Sequence, residues 1–402
     1  MMRILCLDIE GGHGGSSRSL YHLLKNIDQQ VCTVEVVARR SGRIENMYDA
    51  IGMPCRIAEE IPQASSLQNW RANLRQYVGV AYAMWKARHT LKNLAQEIED
   101  RFDLVHFNHE GFWLIARWLR RRTSKPFVMH IRTMTYPTSM ANLESSSIVR
   151  NVDHLVFISE NEQNRFAKIA KQSQGSVIYN VAESDIASQF HPSVPVDRRF
   201  KIACLSNYAW ERGIDRLIDI AVELRRLEQQ NILFVVAGDM TIPAYLTGKL
   251  GEIGKRGGSL ADYAADLGVA EYFQFLGHVS NPEAVLAACD ILIKPTREAN
   301  PWGRDVLEAL GSARAVVSVG TYNVFVEDGV TGILQSKFDP TELAVRLLEL
   351  ADDRTICERM GITGQKRIST LCNGPDRAHD LIETWRKTIK ERRQETTSST
   401  GF

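Results

Sequence analysis

Short runs of β-branched and aromatic residues alternate along the chain with longer segments whose apolar residues follow helical spacing. This alternation is typical of βαβ units and parallel sheets. In the first half, the pattern predicts strands at 3–8, 33–38, 104–108, 127–132, 154–159 and 176–179. In the second half, it predicts strands at 201–205, 233–237, 273–276, 291–294 and 315–318. Helices are predicted between the strands, for example at 214–229 and 283–288.

The two sets of strands are separated by a segment without sustained periodicity, residues 183–200, which contains two prolines. We interpret this segment as a linker between two doubly wound, Rossmann-like domains at 1–182 and 201–375. Ligands of such sheets bind at the carboxyl ends of the strands, so we expect the domains to face each other across a cleft. A last helix is predicted at 376–392, packed back on the first domain, before a disordered tail at 393–402.

The composition of the 402 residues is that of an ordinary globular protein, with 44% hydrophobic and 24% charged residues. It excludes disordered, collagen-like and disulfide-scaffold classes. The seven cysteines form no C-x-x-C pair, which argues against a structural zinc site and favours a reducing compartment. The first apolar run is too short for a signal peptide, and no uncharged apolar stretch reaches 18 residues. We therefore expect a cytoplasmic protein, and peripheral attachment to the inner face of the cytoplasmic membrane stays open.

The net charge is +1, from 49 Lys and Arg against 48 Asp and Glu, so non-specific binding to nucleic acid is not expected. The charge is unevenly distributed, with +4 on residues 1–190 and −3 on residues 191–402. Residues 61–96 hold five basic residues and residues 111–143 hold six, and neither stretch has an acidic one. Aromatic residues interleave with them at Trp70, Tyr77, Tyr82, Trp85, Phe112, Trp113 and Trp118. This pattern is typical of a protein surface that binds an anionic membrane or a lipid-linked acceptor. The alternative is that the aromatic residues belong to helix cores and the cations are solvated.

A glycine-rich segment, Gly11–Gly12–His13–Gly14–Gly15, follows the first predicted strand. Such a loop lets backbone N–H groups approach a phosphate or a sugar, and the following helix adds positive potential. Its spacing is neither G-x-G-x-x-G nor that of a Walker loop. We predict that Gly12, Gly14 and Gly15 bind the donor, and the alternative is a tight turn that needs glycine.

The segment 294–310 carries the most specific pattern in the chain. A predicted strand ends at Lys294, a proline-containing loop follows, and a helix is predicted to begin near Gly303. The amino end of this helix can face a diphosphate, while Glu308 in its early turns can accept hydrogen bonds from hydroxyl groups.

This segment resembles the Glu-x7-Glu region of the family 4 retaining glycosyltransferases, also called glycosyl transferases group 1. Similar landmarks are Val177–Ile178–Tyr179–Asn180–Val181, Glu211–Arg212–Gly213–Ile214–Asp215, Ala237–Gly238–Asp239, Phe275–Leu276–Gly277–His278–Val279 and the turn at 326–332. The resemblance covers nearly the whole chain. It implies an α/β chain of the GT-B fold, with two Rossmann-like doubly wound domains. It also implies transfer of a sugar, with retention, from a UDP- or GDP-linked donor to an acceptor hydroxyl, without a metal or other cofactor.

The resemblance assigns roles to particular positions. Glu308 aligns with the Glu that holds the nucleotide ribose, and His278 with Val279 lies at a nucleotide-side strand end. When the segment is anchored on Trp302 and Gly303, the first Glu of the motif, which contacts the donor sugar, falls on Asn300. A bulged loop would place Glu298 there instead, and we prefer Asn300.

The diphosphate clamp departs from the family pattern. The family's Lys aligns with Arg212, which preserves the charge, but its Arg aligns with Asn207, which does not. We hypothesise that Arg304, at the helix start, supplies the missing cation for the leaving diphosphate. The alternative is a solvated Arg304 that pairs with Asp305.

In the first domain, the predicted strand at 127–132 resembles the family strand that ends in a His near the transferred sugar. That His aligns with Arg132, and His130 lies on the same face by strand periodicity. Both are candidate catalytic residues, although a core role for His130 is as well supported. His106 and His109 end another strand, where no third metal ligand is suggested, and Glu110 is a weaker candidate on the acceptor side.

The resulting hypothesis is a nucleotide-sugar-dependent glycosyltransferase, with a saccharide or lipid-linked acceptor and a role in assembling cell-envelope polysaccharide or glycolipid. Two alternatives follow from the departures at Asn207 and Asn300. The first is a sugar-nucleotide epimerase of the same fold. The second is a non-catalytic partner protein that keeps the fold.

Overall fold

The computed structural model describes residues 1–11, 14–62, 74–171, 175–183, 190–298 and 300–399. The chain divides into two compact units. Unit 1 consists of Met1–Val181 with Cys372–Phe402, and unit 2 consists of Ala182–Leu371. Each unit is built on one parallel sheet with helices between the strands, so the α/β class is confirmed.

The sheet of unit 1 has seven strands in the described residues, in the order β3-β2-β1-β4-β5-β6-β7. These strands are β1 (Met2–Asp8), β2 (Cys32–Ala38), β3 (Cys55–Ile57), β4 (Leu104–Phe107), β5 (Phe127–Ile131), β6 (His154–Phe157) and β7 (Gly175–Val177). All of the pairings are parallel; Leu7, for example, lies between Val37 and Phe107. The crossover direction reverses between β1 and β4, so their carboxyl ends form a binding position of the doubly wound type.

Helices cover both faces of this sheet. They are α1 (Gly15–Leu24), α2 (Arg43–Ala50), α3 (Leu74–Lys86), α4 (Arg88–Arg101), α5 (Trp113–Leu119), α6 (Ser139–Asn151) and α7 (Glu160–Ala170). One core joins α4 and α5 to alternate strand residues such as Leu5 and Phe107. The other joins α1 and α2 to the intervening residues, such as Cys6 and Val128. The strands are therefore buried on both sides, as expected for a parallel sheet.

Unit 2 repeats this plan with six strands in the described residues, in the order β10-β9-β8-β11-β12-β13. They are β8 (Phe200–Leu205), β9 (Ile232–Ala237), β10 (Phe273–Gly277), β11 (Ile291–Lys294), β12 (Ala315–Val319) and β13 (Gly332–Gln335). The helices are α8 (Arg216–Arg226), α9 (Gly248–Lys255), α10 (Leu260–Asp266), α11 (Pro282–Ala287), α12 (Arg304–Gly311), α13 (Pro340–Asp352) and α14 (Arg354–Leu371). The reversal here lies between β8 and β11, which are hydrogen-bonded neighbours. It marks the carboxyl ends of these two strands as the ligand position.

The last helix, α15 (Gly374–Ser399), belongs to unit 1. Its Trp385 is fully buried, and the indole Nε1 donates to His106 Nδ1 at 2.9 Å. The prediction of a disordered tail is wrong for residues 393–399, which continue this helix. These residues include no Pro or Gly, so each of them can add one more helical hydrogen bond. Residues 400–402 lie outside the described residues.

The remaining differences concern short elements and boundaries. β3 and β13 were not predicted: β3 has three residues with the exposed Arg56 in the middle, and β13 begins at Gly332, the last residue of the turn recognised at 326–332. The segment predicted as a linker groups with unit 2, and His191 N–H donates to the Ala284 carbonyl at 3.0 Å. No helix of the described chain combines the length and the apolar character needed to span a bilayer.

Candidate active site

The carboxyl edge of the second sheet brings the loops after β8, β9, β10 and β11 together. The loops after β8 and β9 are joined because Asp239 N–H donates to Asn207 Oδ1 at 2.9 Å, and Tyr208 N–H donates to the Asp239 carbonyl at 2.7 Å. Gly238 N–H donates to the Gly277 carbonyl at 2.7 Å, which joins the ends of β9 and β10. These three strand ends therefore form one continuous edge.

Arg297 joins this edge to the loop after β11. Its guanidinium donates to both carboxylate oxygens of Asp215, at 2.8 and 2.6 Å, and lies 3.6 Å from the ring centroid of Trp210. Its backbone N–H donates to the Glu211 carbonyl at 2.8 Å. Two-pronged pairing and stacking both suit the planar guanidinium, so Arg297 fixes the two loops against each other. No local pattern in the sequence assigns a role to Arg297, although Asp215 belongs to a recognised landmark.

Gly213 allows these loops to approach closely. Its φ is +67°, and a Cβ at this position would overlap the carbonyl oxygen of Pro295. Both observations exclude a side chain without movement of the loop after β11. The glycine of the Glu-Arg-Gly-Ile-Asp segment is thus explained by packing between two loops of the site.

Arg212 lies on the exposed side of the loop after β8. Its Nη1 donates to Ser206 Oγ at 2.7 Å and contacts the Asn207 carbonyl at 3.3 Å. The Asn207 side chain accepts from the backbone of the next loop, so it organises the edge and adds no charge. Arg212 is therefore the cation that this loop supplies.

The amino end of α12 is shaped by a Lys–Asp ion pair. Lys294 Nζ lies 3.1 and 3.2 Å from the two carboxylate oxygens of Asp305. Gly303 precedes the helix in extended conformation, and a Cβ there would lie 2.7 Å from Asp305 Oδ1. The absence of a side chain thus leaves room for the Asp305 carboxylate. The partner of Asp305 is Lys294, and the alternative pairing of Arg304 with Asp305 is not observed.

Arg304 pairs instead with Glu308, one turn further along α12. Its Nε and Nη2 lie 3.1 and 3.0 Å from Glu308 Oε1, and both side chains are largely buried. A charge-assisted pair of this kind holds the carboxylate in one orientation. The sequence did not predict this contact, which links the proposed diphosphate cation to the proposed ribose ligand.

The remaining residues of this edge differ in exposure. Trp302 is buried beneath the loop, with its ring 4.7 Å from that of Phe325, so it supports the loop from the core side. Glu298 and Asn300 are both partly exposed, which leaves both sugar-side alternatives in place. His278 is exposed and Val279 is partly exposed at the end of β10.

In unit 1, polar side chains meet where β1, β4 and β5 end. Asn108 Nδ2 donates to Asp8 Oδ1 at 2.7 Å and to the Ser16 carbonyl at 3.1 Å. Arg132 donates through Nε to Asn108 Oδ1 at 2.9 Å and through Nη1 to Asn180 Oδ1 at 3.0 Å. Burial raises the pKa of Asp8 to about 6, although Asn108 and the charge of Arg132 oppose the shift. Arg132 thus has a fixed orientation at this edge.

Glu110 stabilises the loop after β5 at the same edge. Its carboxylate accepts from Arg132 N–H at 2.9 Å and from the Thr133 hydroxyl, and its side chain is buried. A carboxylate used in this way supports the loop after β5. These contacts favour a role in the loop over the acceptor-side role considered for Glu110.

His130 lies in the core of unit 1 and not at its ligand edge. Its Nδ1 lies 2.8 Å from His106 Nε2, and His106 Nδ1 accepts from Trp385. His106 must therefore carry its proton on Nε2 and donate it to His130. Burial lowers the pKa of His106 to about 3 and also lowers the pKa of His130, so both rings are neutral near pH 7. The predicted catalytic role of His130 is replaced by a structural one, because its strand turns this side chain towards α15.

Close packing explains two of the described glycines in the glycine-rich loop. A Cβ on Gly14 would overlap the Glu10 carboxylate, and a Cβ on Gly11 would overlap the Arg40 carbonyl. Gly15 is the first residue of α1. Gly12, which we also predicted to bind the donor, lies outside the described residues. Close packing thus accounts for Gly11 and Gly14 without a ligand.

Within the described residues, no group of three or more His, Cys, Asp or Glu side chains could hold a metal ion. His106 is engaged in the core, and His109 Nδ1 accepts from Gly111 N–H at 2.9 Å.

Two family models together match residues 13–367 of the chain. The model for Glycosyltransferase Family 4 matches residues 13–185, and the model for Glycosyl transferases group 1 matches residues 185–367. The alpha-D-kanosaminyltransferase of Streptomyces kanamyceticus is 31% identical over 41% of this chain and 40% of its own length. The D-inositol 3-phosphate glycosyltransferase of Streptomyces avermitilis is 26% identical over 65% of this chain and 60% of its own length. The chain thus spans about half the length of these curated relatives.

Among solved structures, Anabaena Alr3699/HepE in complex with UDP and glucose matches with a TM-score of 0.75. The match covers 96% of this chain and 100% of that chain at 18% sequence identity, so it establishes the fold. The landmarks of the sequence, the two doubly wound units and the family models agree. The chain belongs to the family 4 glycosyltransferases, glycosyl transferases group 1, and has the GT-B fold.

Proposed function

We propose that this protein transfers a sugar from a nucleotide-diphosphate donor to an acceptor hydroxyl with retention of anomeric configuration. The observation that carries the proposal is the arrangement of Arg212, Arg304 and Glu308 on interlinked loops and on α12, at the carboxyl edge of unit 2. Cations, a helix amino end and a buried carboxylate at one sheet edge fit a nucleoside diphosphate.

The mechanism rests on charge that develops when the anomeric C–O bond breaks. Negative charge then grows on the leaving diphosphate, and fixed cations with N–H dipoles lower the barrier most. Arg212 and the amino end of α12 are the groups we assign to this task. Glu308 would accept hydrogen bonds from the ribose hydroxyls, with Arg304 holding its carboxylate and adding positive charge nearby.

The sugar side of the reaction involves Asn300 or Glu298, whose side chains can hydrogen-bond to sugar hydroxyls. In unit 1 we assign Arg132 to the transferred sugar or the acceptor, because Asn108 and Asn180 hold its guanidinium in one orientation. The proposal includes no metal or cofactor, since cationic side chains take the role that a metal would have. EDTA should therefore leave turnover unchanged.

UDP-sugars are the first donors to test, because the neighbour Alr3699/HepE is described in complex with UDP and glucose. GDP-sugars are the second. We propose a saccharide or lipid-linked acceptor in cell-envelope polysaccharide or glycolipid assembly, with action at the inner face of the cytoplasmic membrane. The basic, acid-free stretches of the first half of the sequence support this location.

The test is nucleotide release from a panel of UDP- and GDP-sugars, with and without candidate acceptors. We expect acceptor-stimulated release by the wild-type protein and, at donor concentrations below KM, a loss of about tenfold or more in Glu308→Ala, since a hydrogen bond to a charged group contributes about 1.5 to 3 kcal/mol. Glu349→Ala is the matched control, since Glu349 is exposed on α13 of the same unit. Epimer formation without release would instead support the epimerase, which the Asn300 departure leaves room for. Donor binding without either product would support a non-catalytic partner.

A further inference from the structure

Helix α3 exposes a stripe of large apolar side chains. Val78, Tyr82 and Trp85 are 62%, 62% and 58% exposed, and their spacing of four and three residues places them on one helix face. Val80 and Met84, between them in sequence, pack against the core of unit 1. The Tyr82 and Trp85 rings are stacked with centroids 6.0 Å apart. A contiguous exposed stripe of this kind marks an interaction surface.

Cationic side chains border this stripe. Lys86, Arg88 and Lys92 are exposed, and the Arg88 guanidinium lies 4.4 Å from the Trp85 ring centroid. Neither α3 nor the part of α4 before Glu97 contains an acidic residue. Glu59 and Glu60 lie nearby, where they line a cavity of about 700 Å³ together with Gly79, Ala83 and Lys86. Apart from these two carboxylates, the surface is apolar, aromatic and positive.

The second acid-free stretch, residues 111–143, does not form a comparable surface. Phe112 and Trp113 are buried in the core. Arg120 pairs with Asp153 and lies over the Phe127 ring, and Arg132 is bound within the polar cluster described above. Arg117, Arg121 and Arg122 are exposed, but every aromatic residue of this stretch is buried or only partly exposed. The combination of exposed aromatic rings and cations therefore favours α3 and the start of α4.

We infer that Val78, Tyr82, Trp85, Lys86, Arg88 and Lys92, here called the α3 surface, dock on an anionic phospholipid bilayer. Trp and Tyr rings favour the boundary between headgroups and acyl chains, and Lys and Arg are attracted to anionic headgroups. Charge complementarity therefore selects a membrane with anionic lipid. The inference rests on the proposed function, because docking would hold the enzyme beside a lipid-linked acceptor. Binding to the membrane itself requires no catalysis.

The test is co-flotation of the full chain with vesicles. We expect binding to vesicles of equal parts phosphatidylglycerol and phosphatidylcholine, little binding to pure phosphatidylcholine, and weakening by salt. The double substitution Tyr82→Ala with Trp85→Ala should weaken binding about tenfold or more, because the apolar anchor is lost. Its matched control is Phe190→Ala with Tyr245→Ala, since these aromatic residues are exposed in unit 2.

Charge reversal provides the second arm. Lys86→Glu, Arg88→Glu and Lys92→Glu together should abolish the preference for anionic vesicles. The control is reversal of Lys387 and Lys390, which are exposed on α15 of the same unit. Circular dichroism of every variant should match the wild-type spectrum, so that lost binding reports the surface and not unfolding.

Two outcomes would overturn the inference. The first is that the wild-type protein co-floats with neither vesicle type at low salt. The other is a dimer in vesicle-free buffer that dissociates with Tyr82→Ala and Trp85→Ala, which would assign the surface to a second copy of the chain. Glu308→Ala separates this question from the reaction, since it should bind vesicles like the wild type. A protein that floats but releases no nucleotide would contradict the proposed function alone.

Discussion

The carboxylate of Asp215 accepts two hydrogen bonds from the guanidinium of Arg297, which lies 82 residues later in the chain. One residue belongs to the segment that follows β8 and the other to the loop that follows β11. The Asp215 side chain is 6% exposed and that of Arg297 is 19% exposed, so solvent screens the pair only weakly. The relative position of the loops after β8 and β11 therefore depends on this ion pair.

Arg297→Ala should destabilise unit 2 and reduce turnover together. It leaves the buried Asp215 carboxylate without its partner, which costs roughly 3 kcal/mol of unfolding free energy. The measurement is urea denaturation beside donor kinetics. Arg226→Ala is the control, because its pair with Glu223 is mostly exposed on the Arg side and should contribute under about 1 kcal/mol. Equal stability of the two variants would contradict the positioning role.

Arg304→Ala separates two roles of this side chain. If Arg304 stabilises the leaving diphosphate, kcat should fall about 100-fold. If it only orients Glu308, the KM for the donor should rise while kcat changes little. We expect the fall in kcat, with partial recovery in Arg304→Lys. Arg346→Ala, which removes a surface pair with Asp328, is the control, and wild-type-like kinetics in Arg304→Ala would exclude both roles.

Asp8 should make stability depend on pH with an unusual sign. Its folded pKa of about 6 lies above the ordinary value of 3.8, so the folded carboxyl holds its proton more tightly than the unfolded one. The stability from this group is present at pH 4 and is lost as the pH rises through 6. The free energy of unfolding of Asp8→Asn, relative to that of the wild type, should therefore increase by roughly 2 kcal/mol between pH 4 and pH 7.

The measurement is urea denaturation of both proteins across that range. The pKa values of His106 and His130 are lowered, so their effect on stability has the opposite pH dependence. Their contribution to the stability of the protein is lost as the pH falls below about 6.5. Both proteins contain them, so their contribution largely cancels in the difference. Parallel stability curves for wild type and Asp8→Asn would contradict the assignment.

His130→Ala tests whether this residue is structural. The substitution leaves the His106 Nε2–H without its acceptor in the core, which should cost about 2 kcal/mol of stability. We expect kcat of the folded fraction to stay within about twofold of the wild type, since the neutral ring faces α15. A loss of kcat of about 100-fold in fully folded protein would restore the catalytic interpretation.

The sequence was sufficient for the described strands other than β3 and β13, because apolar runs buried in a parallel sheet are easy to recognise. It also located α12 and Glu308, since a strand, a proline-containing loop and a helix follow each other locally. It did not reveal the Arg297–Asp215 pair, because contacts between loops of neighbouring strands leave no local pattern. The same reason applies to His130, whose neighbour Trp385 sits on a helix at the other end of the chain. Strand periodicity grouped His130 with Arg132, but β5 ends at Ile131 and the chain turns there.

The central claim is that the carboxyl edge of unit 2 binds a nucleoside diphosphate through Glu308. Calorimetric titration of UDP, and then of GDP, into the wild-type protein, Glu308→Ala and the control Glu349→Ala tests it most directly. We expect one nucleotide to bind the wild type and the control equally, and Glu308→Ala to bind at least about tenfold more weakly, since a hydrogen bond to a charged group contributes about 1.5 to 3 kcal/mol. Absence of binding by both nucleotides, or equal affinity in Glu308→Ala, would contradict the account.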